Sequence, residues 1–507
     1  MLLIYLLSSV LIVLYTLVIG LGLTKILKKN FFYFPLLFVG FFSCLSLILW
    51  SLKLQVWFLF LIPFLFFLWP FYQKVRKLKI NERNILLFFL AVYFLYVIIQ
   101  VFVPFYPLGR NWYHYYKYSL NVSESGHLSE FDRNPLFSLI EGGFFTIFNS
   151  DFYVAQITTC LIGSFIVFPY FLLSKKFVGS KLITFSLMIL IFNPFIIENT
   201  LYNWPKMLAT MFILYFIWFI LKGDVFASYV SGVLSFLSHS LSLFFILPIC
   251  LISSIEKREK WIKIFILFFL TVFGIVLIKK ISGYSNIFIY YPFAVNGWDV
   301  LIGKSTGEII QDFLSKPFYY HFLVRFVNLM NTIFPTIPIL KLINQFIVLP
   351  VVELHRIFDI TKVPLIYYYF HSMPGALTIG IYIFVIIACL NKKNVKFILI
   401  FMILPLLFAV SFFGWIKGGA IRDTLQPLIP LALILSVKEM GKHNKKIMYL
   451  VFLVMIVEMI LFFILYNDFI HFSVENLKQI GDYEILRVET INKLVFERDI
   501  LVEYGYS

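Results

Sequence analysis

Apolar residues run along this chain in long blocks, with neither the two-residue alternation of a barrel strand nor the one-sided stripe of a soluble helix. Residues 2–24, 31–52 and 85–106 carry no charge, and 448–465 carries one acid, Glu458. Each is about as long as the roughly 20 residues that take a helix across a bilayer. In lipid every backbone N–H and C=O must pair inside its own element, so such blocks predict helices. Spans are expected to begin near Leu2, Phe31, Val56, Ile85, Phe152, Leu182, Met207, Val225, Leu241, Ile264, Pro374, Phe397, Leu425 and Met448. The stretches 225–237 and 241–251 are too short to cross comfortably. They predict two half-helices, or one kinked element, meeting at Ser238, His239 and Ser240. The expected fold class is an all-α polytopic membrane protein with about 13–14 transmembrane helices and further helices in the outer interface.

Polar interruptions set the domain plan. Residues 1–106 form N-terminal transmembrane helices, 107–151 a first large outer loop, and 152–280 a central set of spans. A second outer loop at 281–373 leads to C-terminal spans at 374–466 and a small outer tail at 467–507. Within the first loop, residues 136–148 set Phe137, Ile140, Phe144 and Phe148 at helical spacing, with Glu141 and Asn149 nearer the other side. That pattern predicts a short helix lying in the membrane interface. The aromatic-rich second loop predicts more interfacial helices, capping a cavity.

Charge then gives the orientation. Seven short loops, at 25–29, 74–83, 175–181, 222–224, 256–263, 392–396 and 438–446, hold 23 of the 42 Lys and Arg but 5 of the 26 acids. Their excess of 18 positive charges is larger than the +16 of the whole chain, which is the pattern of loops kept on the inner side. Both termini are then expected outside, and Lys279 and Lys280 are the exceptions to the rule. Since topology accounts for the basic excess, no nucleic-acid partner is expected. The composition, 61% hydrophobic and 13% charged, excludes an ordinary soluble domain. Cys44, Cys160, Cys250 and Cys389 sit in apolar runs with no metal spacing and no disulfide framework. The first block lacks a basic leader and a small-residue cleavage site, so it is expected to be retained as a helix.

Against this background the polar residues of the outer face stand out. The first loop offers Asn111, His114, Glu130, Asp132 and Arg133, and the turn ENTLYNWPKML offers Glu198, Asn203 and Lys206. The turn GWIKGGAIRDTLQPL offers Lys417, Arg422, Asp423 and Gln426, and His239 sits at the break in the eighth element. Arg and Lys hold phosphate well, and a carboxylate can take a proton from an attacking hydroxyl. The set therefore suits a phosphate-bearing lipid substrate in the membrane. Each group also fits a plainer role. Glu130, Asp132 and Arg133 fit a solvated loop cluster, and Arg422 with Asp423 fits a surface pair. Lys206 fits a helix-end lysine reaching for water, and His239 a core histidine.

The order NWYHYY (residues 111–116) and then FDRNPL (131–136) resembles the loop elements of the GT-C superfamily of integral-membrane glycosyltransferases. The likeness is nearest to protein O-mannosyltransferases and lipid A aminoarabinose transferases. YNWPKMLATMF and RDTLQPLIPLAL are similar to later elements of bacterial members. The resemblance implies a polyprenyl-phosphate-linked sugar donor and a glycan, lipid or protein acceptor. It places the enzyme in the cell's inner or plasma membrane, with its active site on the outer or periplasmic face. It further implies that Asp132 is the catalytic base, with Glu130 and Glu198 as the other candidate acids. Asn111, His114, Arg133, His239 and Gln426 would contact substrate, while Lys206 and Arg422 hold the leaving phosphate. The sequence departs from the family at Asn111, where an acid is usual, and Asn cannot serve as a base. Asp132 with one or two further acids is the set that would hold Mg²⁺ or Mn²⁺ if a metal takes part. A polysaccharide polymerase or O-antigen-ligase-type enzyme is the alternative within the same chemistry. A lipid-linked glycan flippase or transporter is the alternative outside it, and that class would place charged groups inside the spans.

Overall fold

The computed structural model describes residues 2–54, 56–102, 111–124, 135–149, 152–201, 205–239, 242–256, 258–281, 391–405, 427–442, 446–457 and 459–460, with 311, 314, 315, 317 and 319. Every regular element among these residues is a helix. The first four are α1 (Leu2–Ile26), α2 (Phe34–Ser51), α3 (Trp57–Arg76) and α4 (Ile80–Phe102). A short hairpin follows, α5 (Asn111–Ser123) and α6 (Pro135–Phe148). Next come α7 (Phe152–Ser164), α8 (Val167–Phe177), α9 (Ile183–Ile191), α10 (Pro194–Leu201), α11 (Lys206–Lys222), α12 (Val225–Ser238), α13 (Leu243–Glu256) and α14 (Arg258–Ile281). Near the C-terminus lie α15 (Lys392–Ile398), running into a π-turn at Leu399–Ile403, then α16 (Leu428–Met440) and an apolar helix at Lys446–Val457.

Five of the helical stretches are long and apolar enough to cross a membrane: Tyr5–Ile26, Phe31–Ser51, Trp57–Arg76, Ile80–Val101 and Tyr153–Phe177. A sixth arises if Ser180–Ile191 and Phe195–Leu201, bent by 64° at their break, count as one broken span. The break falls at Asn193-Pro194, where proline withholds a backbone donor. The Asn193 side chain accepts from the backbone N–H of Phe195 at 3.1 Å and of Ile196 at 3.3 Å, so it caps the new helix. The half-helix pattern expected around His239 is also present, since α12 ends at Ser238 and α13 starts at Leu243. The expected span at Pro374, the outer tail and all of the second outer loop but residues 281, 311, 314, 315, 317 and 319 lie outside the described residues.

Helices are joined through aromatic packing and through tyrosine hydroxyls that donate to backbone carbonyls. Tyr15 donates to Phe60 at 2.7 Å, tying α1 to α3, and Tyr93 donates to Ser9 at 2.8 Å, tying α4 to α1. Tyr215 of α11 donates to Phe32 at 2.6 Å. Each supplies a donor that lipid cannot, so the hydroxyl is buried with its partner already in place. By contrast α3 turns Ile62, Leu65, Phe66 and Trp69 outward, as a lipid-facing helix does.

Six of the seven basic loops meet at one end of the bundle. Tyr33 donates to the Asp224 carboxylate at 3.2 Å, and the Lys29 and Lys222 ammonium groups each lie 5.9 Å from the Tyr33 ring. Lys74 reaches the carbonyl of Lys29 at 3.4 Å, and Lys176 that of Leu221 at 3.1 Å. Phe177 packs on Phe397 and beneath Lys438. At that corner the buried Glu439 accepts from Asn394 at 2.7 Å and from Lys442 at 2.6 Å, while Lys438 donates to Asn394. Burial alone would raise the Glu439 pKa. The hydrogen bonds from Lys442 and Asn394, with the charges of Lys442 and Lys438, outweigh it and lower the pKa. A lowered native pKa contributes stability above the ordinary value of 4.5, and that stability is lost as pH falls through the native value. Glu439→Gln is therefore expected to lose ~2 kcal/mol at neutral pH, the scale of hydrogen bonds to a charged group. Its melting temperature should also fall less steeply than wild type below pH 4.5. Parallel acid limbs in the two melting profiles would contradict the assignment.

The packing of the helix at 136–148 is closer than its one-sided pattern predicts. Residues Leu136 through Phe145 of α6 are all buried, and the helix is enclosed by α5, α2, α7, α3 and α12. Gly142 and Gly143 make this possible. A Cβ on Gly142 would stand 2.7 Å from the Ser119 carbonyl oxygen, and one on Gly143 would stand 2.5 Å from Ser46 Oγ. The glycine pair lets α6 wedge between α5 and α2, an approach that a hydrophobic stripe does not record.

Candidate functional site

The end of the bundle away from the basic loops is defined by chain direction. Lys222 closes α11 beside Tyr33, so Lys206, which opens that helix, lies about 24 Å away at 1.5 Å per residue. Its side chain is withdrawn, with the residue 5% exposed. No side chain caps the helix at Pro205, so the first turn of α11 adds the positive end of a helix dipole to the Lys206 ammonium. Helix α12 returns alongside α11. Ser235 donates to the Ala209 carbonyl at 3.1 Å, one turn along α11 from Lys206. One turn further along α12, the His239 N–H donates to the Ser235 carbonyl at 2.9 Å. These bonds bring Lys206 and the half-buried His239 to one level of the bundle.

Other residues named from sequence are placed less fully. Asn111 and His114 both fall in the first turn of α5, and Glu198 falls in α10, one short segment before Lys206. Glu130, Asp132, Arg133, Arg422, Gln426 and Glu458 lie outside the described residues. The carboxylate set considered for Mg²⁺ or Mn²⁺ rests on Asp132 and lies there too. Among the described residues no three His, Cys, Asp or Glu side chains group as a metal site.

Packing also brings in residues that sequence reasoning passed over. Glu141 on α6 is fully buried and accepts from Ser119 Oγ at 2.5 Å, and the same hydroxyl lies 2.9 Å from the Tyr115 carbonyl. Its level is set by Leu139, which packs with Val122 and with Trp50 near the end of α2 away from the basic loops. The signal was present: Glu141 is an ionisable residue inside an apolar run, where such groups are costly. Two glutamines, Gln100 on α4 and Gln156 on α7, are also almost fully buried. A lone amide inside a transmembrane block carries no periodic signal, so nothing in the sequence marks them.

Fold and site together define a class: a helical bundle with, among the described residues, about five long apolar helices, compatible with an integral membrane protein, and with six of its seven basic loops gathered at one end. No protein-family model, curated protein or solved structure matches the chain, so no family is assigned.

Proposed function

We propose that the protein is a GT-C-type glycosyltransferase that moves a sugar from a polyprenyl-phosphate carrier to an acceptor at the outer membrane face. The observation that carries this reading is Lys206. It is a lysine held out of water at an uncapped helix start, beside a broken helix pair and level with His239. A cation in that setting suits a phosphate on a lipid tail, whose charge is met without a water-filled channel. In the proposed reaction the Asp132 carboxylate takes the proton of the acceptor hydroxyl. The acceptor oxygen bonds to the anomeric carbon as the bond from that carbon to the phosphate oxygen breaks, with inversion. Both electrons of the broken bond leave with polyprenyl phosphate, whose charge is met by Lys206 and Arg422. Asp132 then passes its proton to solvent.

The test is release of polyprenyl phosphate from a panel of polyprenyl-phosphate sugars, in proteoliposomes supplied with an envelope acceptor fraction. Wild type should release it, and Asp132→Asn should lose about 10²–10⁴ of the rate, the usual share of a general base. Equal rates would keep the class and shift the base to Glu130 or Glu198. No release from any donor, with binding of an assembled lipid-linked glycan, would favour a polymerase or ligase.

A second reading has one observation in its favour. Glu141 is a carboxylate enclosed among helices, the kind of group that a lipid-linked glycan transporter would use inside its path. Movement of the glycan across the bilayer without release of polyprenyl phosphate would support it.

A further inference from the structure

Helices α4 and α7 run antiparallel, and their register can be read from their contacts. Phe89 of α4 stacks on Phe165, just past the end of α7, with centroids 5.7 Å apart. Tyr93 and Tyr96, one and two turns along, both fall near Cys160. Continued away from the basic end, this register brings Gln100 and Gln156 to about the same level of the two helices. The two residues are 2% and 3% exposed. Gln156 has no hydrogen-bond partner for Oε1 or Nε2, and Gln100 has none for Oε1. Three orphaned amide atoms at one level of an apolar bundle are costly, each by the desolvation of an unmade hydrogen bond. Packing alone gives no reason for glutamine here, since leucine fills the same space without the penalty.

We propose that Gln100 and Gln156 form a hydrogen-bonding site for the hydroxyl groups of a sugar. A carboxamide both donates and accepts, as a hydroxyl does, so two amides at one level suit a ligand with neighbouring hydroxyls. The pair suits the phosphodiester of such a donor less well, since that has acceptors only. Helix α10, which carries Glu198, packs against both α4 and α7, so this site adjoins the element leading to Lys206. The division of labour is then clear: Lys206 meets the phosphate of the donor and the two glutamines meet its sugar. This inference rests on the transferase reading above.

The experiment uses the full chain in nanodiscs, with short-chain polyprenyl-phosphate monosaccharides as probes and sugar-free polyprenyl phosphate as reference. Thermal shift and binding are measured for wild type, Gln100→Leu, Gln156→Leu and the milder Gln156→Met. Wild type is expected to bind a sugar-bearing probe more tightly than the reference. Each variant should melt at or above the wild-type temperature without ligand and bind the reference normally. Its preference for the sugar-bearing probe should fall about tenfold, the scale of one good hydrogen bond. Variants that keep the sugar preference would overturn the inference and leave the transferase standing. Variants that melt well below wild type without ligand would also overturn it, because the amides would then serve the fold. A wild type that does not distinguish sugar-bearing from sugar-free probe would overturn the transferase reading, and this inference with it.

Discussion

Lys206→Met is expected to slow polyprenyl-phosphate release by about 10²–10³-fold, the usual loss when one preorganised donor to a developing anion is removed. Lys206 stands about 24 Å from the basic end of α11 and is nearly enclosed. In such surroundings a charge–charge contact is weakly screened, so one ammonium counts for far more than it would on a wet surface. The gain belongs to the departing phosphate, whose charge grows as the sugar bond breaks. The loss should therefore appear in kcat more than in KM. Lys206→Arg keeps the charge with a different reach and is expected to fall between wild type and the methionine variant. The melting temperature of the purified variants checks that the bundle still forms. Release at the wild-type rate from a well-folded Lys206→Met protein would remove Lys206 from the site.

Gly142→Val should be the most damaging single change to the fold among those considered. The added Cβ meets the Ser119 carbonyl oxygen at 2.7 Å and the Val122 side chain at the same distance. A side chain can rotate away, but a backbone carbonyl inside a helix cannot, so α5 and α6 must separate. Overpacking of this kind costs about 1–3 kcal/mol and sometimes more. Here it also disturbs the bond between Ser119 and the buried Glu141. Gly142→Ala should be milder, because alanine recovers ~1 kcal/mol of helix propensity that glycine gives up. Melting profiles of the two variants in detergent check the order. A valine variant as stable as wild type would mean that α6 is not wedged as described.

Hydrophobicity over twenty residues is a strong signal, and the spans expected from Leu2, Phe31, Val56, Ile85 and Phe152 coincide with the five described helices long and apolar enough to cross a membrane. The starts read at Phe31, Val56 and Met207 fall within a residue of helical structure at Phe31, Trp57 and Lys206. Where the reading slipped, the physics is local. The fourth span was read from Ile85, past the polar residues Asn81, Glu82 and Arg83, yet α4 starts at Ile80. Glu82 accepts the Lys79 N–H at 3.0 Å, so a charged turn caps the helix and does not end it. The span read from Leu182 is broken at Asn193-Pro194, a signal visible in sequence and outweighed by the greasy residues around it. The close packing of α6 is not legible because two glycines look neutral in any hydrophobic pattern. What they decide is how closely backbones approach. Candidate site residues are chosen from the sequence by type, and the structure brings two of them, Lys206 and His239, to one level. Their shared level depended on Ser235 meeting Ala209, a contact that no pattern in the sequence announces.

The break at Asn193-Pro194 bears on the lipid as well as on the protein. The span Tyr153–Phe177, made of α7 and α8, is 25 residues long, about 37 Å of helix, more than the hydrocarbon thickness of a bilayer. It is buried from Val154 through Ser174, and α11 beside it is buried at 14 of its 17 residues. Neither helix meets lipid, so the surplus length and the break are taken up inside the bundle. There the Asn193 side chain and neighbouring helices serve backbone groups that oil would leave unpaired. The wall against the bilayer is left to helices such as α3, and the irregular backbone is kept behind it.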